Sequence, residues 1–226
     1  MFKRPHHQRI ARILGALDAE LLQQAECYFA GGTAIVLLLD EYRESQDIDF
    51  LCASIDGYRL LRNLIESDLG PLMRQPLVHV RPVRADRYGI RTQLAVDGVP
   101  IKFKIVSEGR IPIAGSLDPQ LAVPTLSRID MFAEKLLANA DRGADRSTMS
   151  RDLIDLAMMA AHWGPVPAQA WHKAHSAYGA QARRAFEQVR AMLQERAYLM
   201  ACLQKMQMDE ALGPQILAVL VAETGT

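Results

Sequence analysis

Between Leu77 and Val106 the chain is written in alternation, and that pattern commits it to a β-sheet with one apolar and one polar face. The segments LVHVRPV (77–83), YGIRTQLAV (88–96) and PIKFKIV (100–106) are rich in β-formers. In the last of them Ile101, Phe103 and Ile105 fall on one side, and Lys102 and Lys104 on the other, because strand side chains alternate with a period of two. Asp97-Gly98 between the second and third segments predicts a hairpin turn. After AGSLDPQLAVPTL the period changes, and almost everything downstream reads as helix.

The flanking segments complete the outline. Ile10, Ile13, Leu14, Leu17, Leu21 and Leu22 predict an amphipathic helix over 8–26. CYFA (27–30) predicts a short buried strand, broken by Gly31-Gly32. TAIVLLLDEYR (33–43) predicts a helix apolar nearly all round, DIDFLCA (47–53) a second short strand, and 57–67 another helix. Later helices are predicted over 127–142, with Ser127 as N-cap, over 151–163, ended by Gly164-Pro165, and over 180–206 and 210–222. The class is therefore α+β. An α/β domain over 1–115 precedes a helical domain over 116–226.

Composition narrows the function classes. Lys plus Arg (26) balances Asp plus Glu (26), so the chain does not coat nucleic acid by bulk charge, although arginines crowd after position 74. Cys27, Cys52 and Cys202 have no metal-type spacing. With no secretory signal in MFKRPHHQRI, they predict a reducing, cytoplasmic setting. No apolar run is long enough to span a bilayer.

The chemistry concentrates in FAGGTAIVLLLDEYRESQDIDFL (29–51). A glycine pair between strand and helix permits positive φ and leaves amide N–H groups at a helix start, where anions bind. Thr33 adds a hydroxyl. Asp47 and Asp49, at i and i+2, share one strand face and repel unless a cation lies between them. Such an oxygen-rich pair suits Mg²⁺, which also takes substrate phosphates and water. Alone, a glycine pair is a turn and an Asp-x-Asp a solvated strand end. In this order they predict phosphoryl or nucleotidyl transfer.

This stretch resembles the signature of the AbiEii/AbiGii nucleotidyltransferase family, within the DNA polymerase β-like superfamily: a Gly-Gly turn, a helix, then R-x-S-x-D-x-D-F. The matching positions are Gly31, Gly32, Arg43, Ser45, Asp47, Asp49 and Phe50. Lys135 in MFAEKLLANADR, then Arg151, Asp152 and Asp155 in RDLIDL, match the family's later helical motifs. The resemblance runs from about Ala30 to Met158. It implies a small mixed sheet with helices, then a helical domain contributing to the active-site cleft. It also implies transfer of a nucleoside monophosphate from an NTP, with Mg²⁺, to RNA such as tRNA or to a protein. Members include bacterial toxins with cognate antitoxins, and related MenT enzymes extend the 3′ end of tRNA. Carried over by position, Gly31, Gly32, Thr33 and Ser45 would hold the nucleotide, and Asp47 and Asp49 the metal. Lys135 would contact phosphate, and either Asp152 or Asp155 would act near the acceptor or position Lys135.

The superfamily often adds a third acid from a later strand. Here Lys102 and Lys104 stand on that strand's polar face, and Glu108 follows it. The alternative expectation is thus a module of the same fold that binds NTP or a protein partner without efficient catalysis. His6 and His7 are expected in a frayed terminus, and His162, His172 and His175 on the surface. The methionines read as core filler, and Arg183, Arg184, Arg190 and Arg196 as a solvated helix face.

Overall fold

A computed structural model describes residues 2–65 and 68–223. They form two compact units by contact. The first comprises Met1–Leu37 and Ser45–Ser127, the second Leu38–Glu44 and Arg128–Thr226.

The first unit is built on a seven-stranded mixed sheet. Its strands are β1 (Cys27–Ala30), β2 (Ile48–Cys52), β3 (Val78–Asp86), β4 (Gly89–Val96), β5 (Val99–Ser107), β6 (Gly115–Asp118) and β7 (Val123–Leu126), in the order β3-β4-β5-β2-β1-β7-β6. Strand β2 is antiparallel to β1 and parallel to β5, and β7 runs parallel to β1. The alternation in β5 holds: Ile101, Phe103 and Ile105 are buried and Lys102 and Lys104 exposed. Asp97 and Gly98 take positive φ (52° and 73°), which suits the right-handed twist of the β4–β5 hairpin. Phe29, Phe50 and Phe103, from three neighbouring strands, stack in sequence with centroids 5.4 and 5.7 Å apart. Each such burial contributes about 1.5–3 kcal/mol.

Among the described residues, the α-helices of this unit are α1 (Pro5–Ala16), α2 (Ala19–Gln24), α3 (Gly31–Leu38, whose last residue is grouped with the second unit) and α4 (Ile55–Leu64). Helix α1 packs on β4, and α4 on β2 and β5. Where periodicity predicts one helix over 8–26, there are two. Leu17 is extended, and the Asp18 carboxylate accepts from the amides of Glu20 and Leu21, restarting the helix one turn later. Of the helix expected over 57–67, Glu66 and Ser67 lie outside the described residues. The β6–β7 hairpin is absent from the predicted elements. Its strands are four residues long and carry Pro124, too short for an alternation signal.

The second unit is helical: α5 (Arg128–Arg142), α6 (Arg151–Trp163), α7 (Ala168–Tyr178), α8 (Gln181–Leu193), α9 (Arg196–Lys205) and α10 (Gly213–Ala222). Helix α5 packs on α6, α7 and α8, and α10 on α6. Helix α7 is missing from the periodic reading because its buried positions are Ala170 and Ala174, which do not register as an apolar stripe. The helix expected over 180–206 is two helices, divided where Glu195 becomes extended. No helix among the described residues is long and apolar enough to cross a membrane.

Candidate active site

Strand β1 ends at Ala30, and the chain turns at Gly31 with φ +74° into α3. Ala30 lies opposite Asp49 in the β1–β2 register. A Cβ on Gly31 would stand 3.3 Å from Asp49 Oδ2 and 3.4 Å from Asp49 Cβ, so the turn is closed against that carboxylate. Glycine is needed here twice, for the left-handed backbone and for the close approach. On its other side Asp49 is in register with Lys104 of β5. Asp47 precedes β2 by one residue. Its side chain is 48% exposed, and its Oδ1 lies 3.9 Å from Lys102 Nζ. The two carboxylates therefore share the polar face of the sheet, between a glycine turn on one side and lysines on the other. Such a pair fits Mg²⁺, which takes one or two carboxylates and fills its remaining positions with phosphate and water. Among the described residues no group of three or more His, Cys, Asp or Glu side chains forms a metal cluster.

Behind the acid pair is a buried buttress. Thr33 Oγ1 donates to the Asp47 carbonyl oxygen at 2.5 Å, so the Ser45 hydroxyl donates to Thr33 across their 2.8 Å contact. Both residues are buried, and this pair ties the start of α3 to the segment leading into β2. The Ser45 amide donates to His7 Nε2 at 3.1 Å, which places the His7 proton on Nδ1. His6 contacts the Gln46 carbonyl oxygen at 3.1 Å. The expected frayed terminus is thus incorrect. Helix α1 starts at Pro5, and His7 is fully buried because it serves as an acceptor for a backbone N–H that would otherwise be orphaned. Only its proximity in the fold, 38 residues away in sequence, identifies His7 as a support of the site.

The later motif residues assemble within the helical unit. Lys135 Nζ lies 2.8 Å from Asp152 Oδ1 and 2.6 Å from Asp155 Oδ2. Each carboxylate is then gripped by an arginine. Arg43 forks onto Asp155 at 2.7 and 2.8 Å, and Arg142 onto Asp152 at 2.7 and 3.0 Å. The Tyr42 hydroxyl adds a 2.6 Å bond to Asp155. The result is an alternating chain of charges: Arg43, Asp155, Lys135, Asp152, Arg142. Sequence reading named the middle three. It left Arg43 as a motif position without a role, and it passed over Tyr42 and Arg142.

Burial opposes ionisation of Asp155, but the charges of Arg43 and Lys135 override it and hold the carboxyl below its usual range. At Asp152 burial is likewise outweighed, by Lys135 and Arg142. Burial and then the Asp155 charge push the Tyr42 phenol well up, so it remains a donor. A carboxyl whose folded pKa lies below its unfolded value, about 3.9, contributes stability above that pH and forfeits it as pH falls towards the folded value. These two aspartates should therefore leave stability unchanged from pH 7 to 5 and withdraw it below about pH 4. Thermal melts across that range check this, and Asp152→Asn should lower neutral stability while flattening the acid limb.

The remaining candidates are placed as follows. Glu108 is buried, its amide donating to the Cys52 carbonyl oxygen and its carboxylate clasped by the Arg110 side chain at 2.7 Å. Arg183 stacks on Trp171 at 3.8 Å, and Arg190 pairs with Glu187 at 2.6 Å, so two arginines of α8 are already engaged. His162, His172 and His175 are exposed, and Cys27, Cys52 and Cys202 are free and buried.

The family model described as "Nucleotidyl transferase AbiEii toxin, Type IV TA system" matches residues 12–215. Among solved structures, a candidate nucleotidyltransferase from H. pylori is similar with a TM-score of 0.58 at 15% identity, covering 97% of this chain and 93% of that one. JHP933 from Helicobacter pylori has a TM-score of 0.58 at 14% identity, covering 100% and 94%. An antigenic nucleotidyltransferase-like protein from Paracoccidioides brasiliensis has a TM-score of 0.55 at 16% identity, covering 90% and 94%. At these identities the structures speak for the fold alone. No curated protein matches the chain.

Proposed function

Because the chain belongs to the AbiEii nucleotidyl transferase toxin family, we propose that it transfers a nucleoside monophosphate from an NTP to a hydroxyl of an RNA or protein acceptor, with Mg²⁺ held by Asp47 and Asp49. The observation that carries this reading is the closure of the Gly31 turn against Asp49, within 3.3 Å of a Cβ that glycine lacks. That contact brings a phosphate-binding backbone and a metal-binding carboxylate together. In the transfer, the acceptor oxygen bonds to the α-phosphorus as the bond to the β-phosphate oxygen breaks. Pyrophosphate leaves, and the hydroxyl proton passes to a carboxylate of the pair or to water. Bound Mg²⁺ would neutralise charge developing on the phosphoryl oxygens.

The chain's own groups have separable tasks. The amides at Gly31 and Gly32 receive the phosphates. Thr33 and Ser45 enter the nucleotide site through their hydroxyl pair, which sets the angle of the glycine turn relative to Asp47. Lys135, with Asp152 and Asp155, supplies a fixed cation. Each of its two carboxylate partners is also neutralised by an arginine. A cognate antitoxin is the protein partner this family suggests.

The test is incubation with each labelled NTP, Mg²⁺ and total cellular RNA or protein. Covalent label on the acceptor supports the reading. Tight NTP binding with no label on any acceptor would favour a binding module instead. Gly31→Ala should cost about 1–2 kcal/mol of stability from the left-handed backbone. Transfer should fall far more than that loss explains, because the new methyl displaces Asp49. Parallel melts and label-transfer rates separate the two effects.

A further inference from the structure

The polar face of the sheet does not stop at the acid pair. Partners in a strand register point to the same face. Asp49 is in register with Lys104, Lys104 with Arg91, and Arg91 with Arg84. Two residues along the strand, Lys102 is in register with Gln93, and Gln93 with Arg81. Lys102 in turn reaches towards Asp47. Two rows of side chains therefore lead from the edge strand β3 across β4 and β5 to the carboxylates, over roughly 14 Å of sheet.

The second row exists only because of an irregularity. Arg81 and Arg84 are three residues apart, and a regular strand would send them to opposite faces. The β3–β4 register shifts between them, and the bulge turns both onto the face of Lys102 and Lys104. Pro82 lies between them, tolerated on an edge strand. The five cations are joined on this face by one acid besides the pair, Asp86, which contacts Arg91 at 3.4 Å. Arg81, Arg84 and Lys104 are exposed and have no acidic partner among the described residues. At the hairpin tip Tyr88 is 63% exposed, with the Arg87 guanidinium over its ring at 4.6 Å.

The sheet order assigns a direction. The glycine turn follows β1, on one side of β2, and the basic rows lie on β5, β4 and β3, on its other side. An in-line displacement at phosphorus needs the leaving pyrophosphate and the incoming hydroxyl on opposite sides of the reacting centre. With the triphosphate at the glycine turn, the basic rows lie on the side from which the acceptor enters.

We infer that this face holds the phosphodiester backbone of a single-stranded RNA and leads its terminal hydroxyl to Asp47 and Asp49. The inference rests on the nucleotidyl-transfer reading above and chooses RNA over protein as acceptor. Two rows of cations complement repeated phosphates, and Gln93, between Lys102 and Arg81 in the second row, can both donate to and accept from a ribose 2′-hydroxyl. Its amide has no hydrogen-bond partner among the described residues.

The test is fluorescence anisotropy of a 5′-labelled single-stranded RNA oligonucleotide with the full chain and with Arg81→Gln/Arg84→Gln. The variant should bind at least about tenfold more weakly, with the slope of log affinity against log salt shallower by about 1.4. Its melting temperature and NTP affinity should match those of the parent. Unchanged affinity and salt slope would overturn the inference, as would equal binding of DNA of the same sequence or equal competition by polyglutamate. Asp47→Asn/Asp49→Asn should retain RNA binding. If the parent binds RNA through these residues but transfers no label, the transfer reading fails alone. If it labels RNA and the Arg81→Gln/Arg84→Gln variant does so equally well, the basic track fails alone.

Discussion

Arg43→Met is expected to lower stability by about 3–5 kcal/mol, although it removes a single charge from a chain of formal net charge zero. The Asp155 side chain is 0% exposed and depends on Arg43 for two charge-assisted bonds. Without them it keeps Lys135 and Tyr42, and Lys135 is shared with Asp152. An incompletely paired buried carboxylate is costly, because the attraction that offset its desolvation is gone while the desolvation remains. In a chain of this size each kcal/mol shifts the melting temperature by about 2–4 °C, so the variant should melt roughly 10 °C lower. Arg43→Lys should fall between, since an ammonium restores charge but not the planar fork. Arg43→Met/Asp155→Leu should recover much of the loss, because no orphaned charge is left. Denaturant titration of the four proteins checks this, and a loss below about 1 kcal/mol for Arg43→Met would show that the pair is dispensable. Because Arg43 lies in the Leu38–Glu44 segment of the helical unit, the same variant should loosen that segment, visible as faster hydrogen exchange at Tyr42 to Glu44.

Asp47→Asn/Asp49→Asn has the opposite profile. Label transfer from NTP should fall by roughly 10³-fold or more, because a metal's charge stabilisation is worth several kcal/mol in the transition state. Stability should hold or rise, since the two carboxylates repel each other on one strand face and Asp47 is half-exposed. The site thus carries a repulsion that a bound cation would relieve, a common cost of function. The single variants should differ. Asp49 is wedged between the Gly31 turn and Lys104, whereas Asp47 is half-exposed and beside Lys102. Asp49→Asn should therefore be the more damaging. Persistent transfer by the double variant would move the metal site elsewhere.

Much of this architecture is legible in the sequence. The period-two pattern of Ile101, Phe103 and Ile105 against Lys102 and Lys104 fixes both the strand and its wet face, since the alternation follows from backbone geometry alone. The same rule puts Asp47 and Asp49 on one side of β2, and Gly31-Gly32 marks a turn because few other residues accept its φ. Order along the chain, with the motifs at Lys135 and at Asp152 and Asp155, sufficed for the family.

Local periodicity says which way a side chain faces but not what waits there. Arg43 meets Asp155 across 112 residues, and His7 meets Ser45 across 38, so neither pairing leaves a trace in any window of sequence. Arg81 and Arg84 share a face only because a bulge breaks the alternation that would otherwise separate them. Lys135, legible as a phosphate ligand, is seen to be held by two carboxylates only when α5 and α6 pack together. The identity of the chemical groups is local, and follows from the chain. Their partners are non-local, and follow from the close packing that brings distant segments within bonding distance.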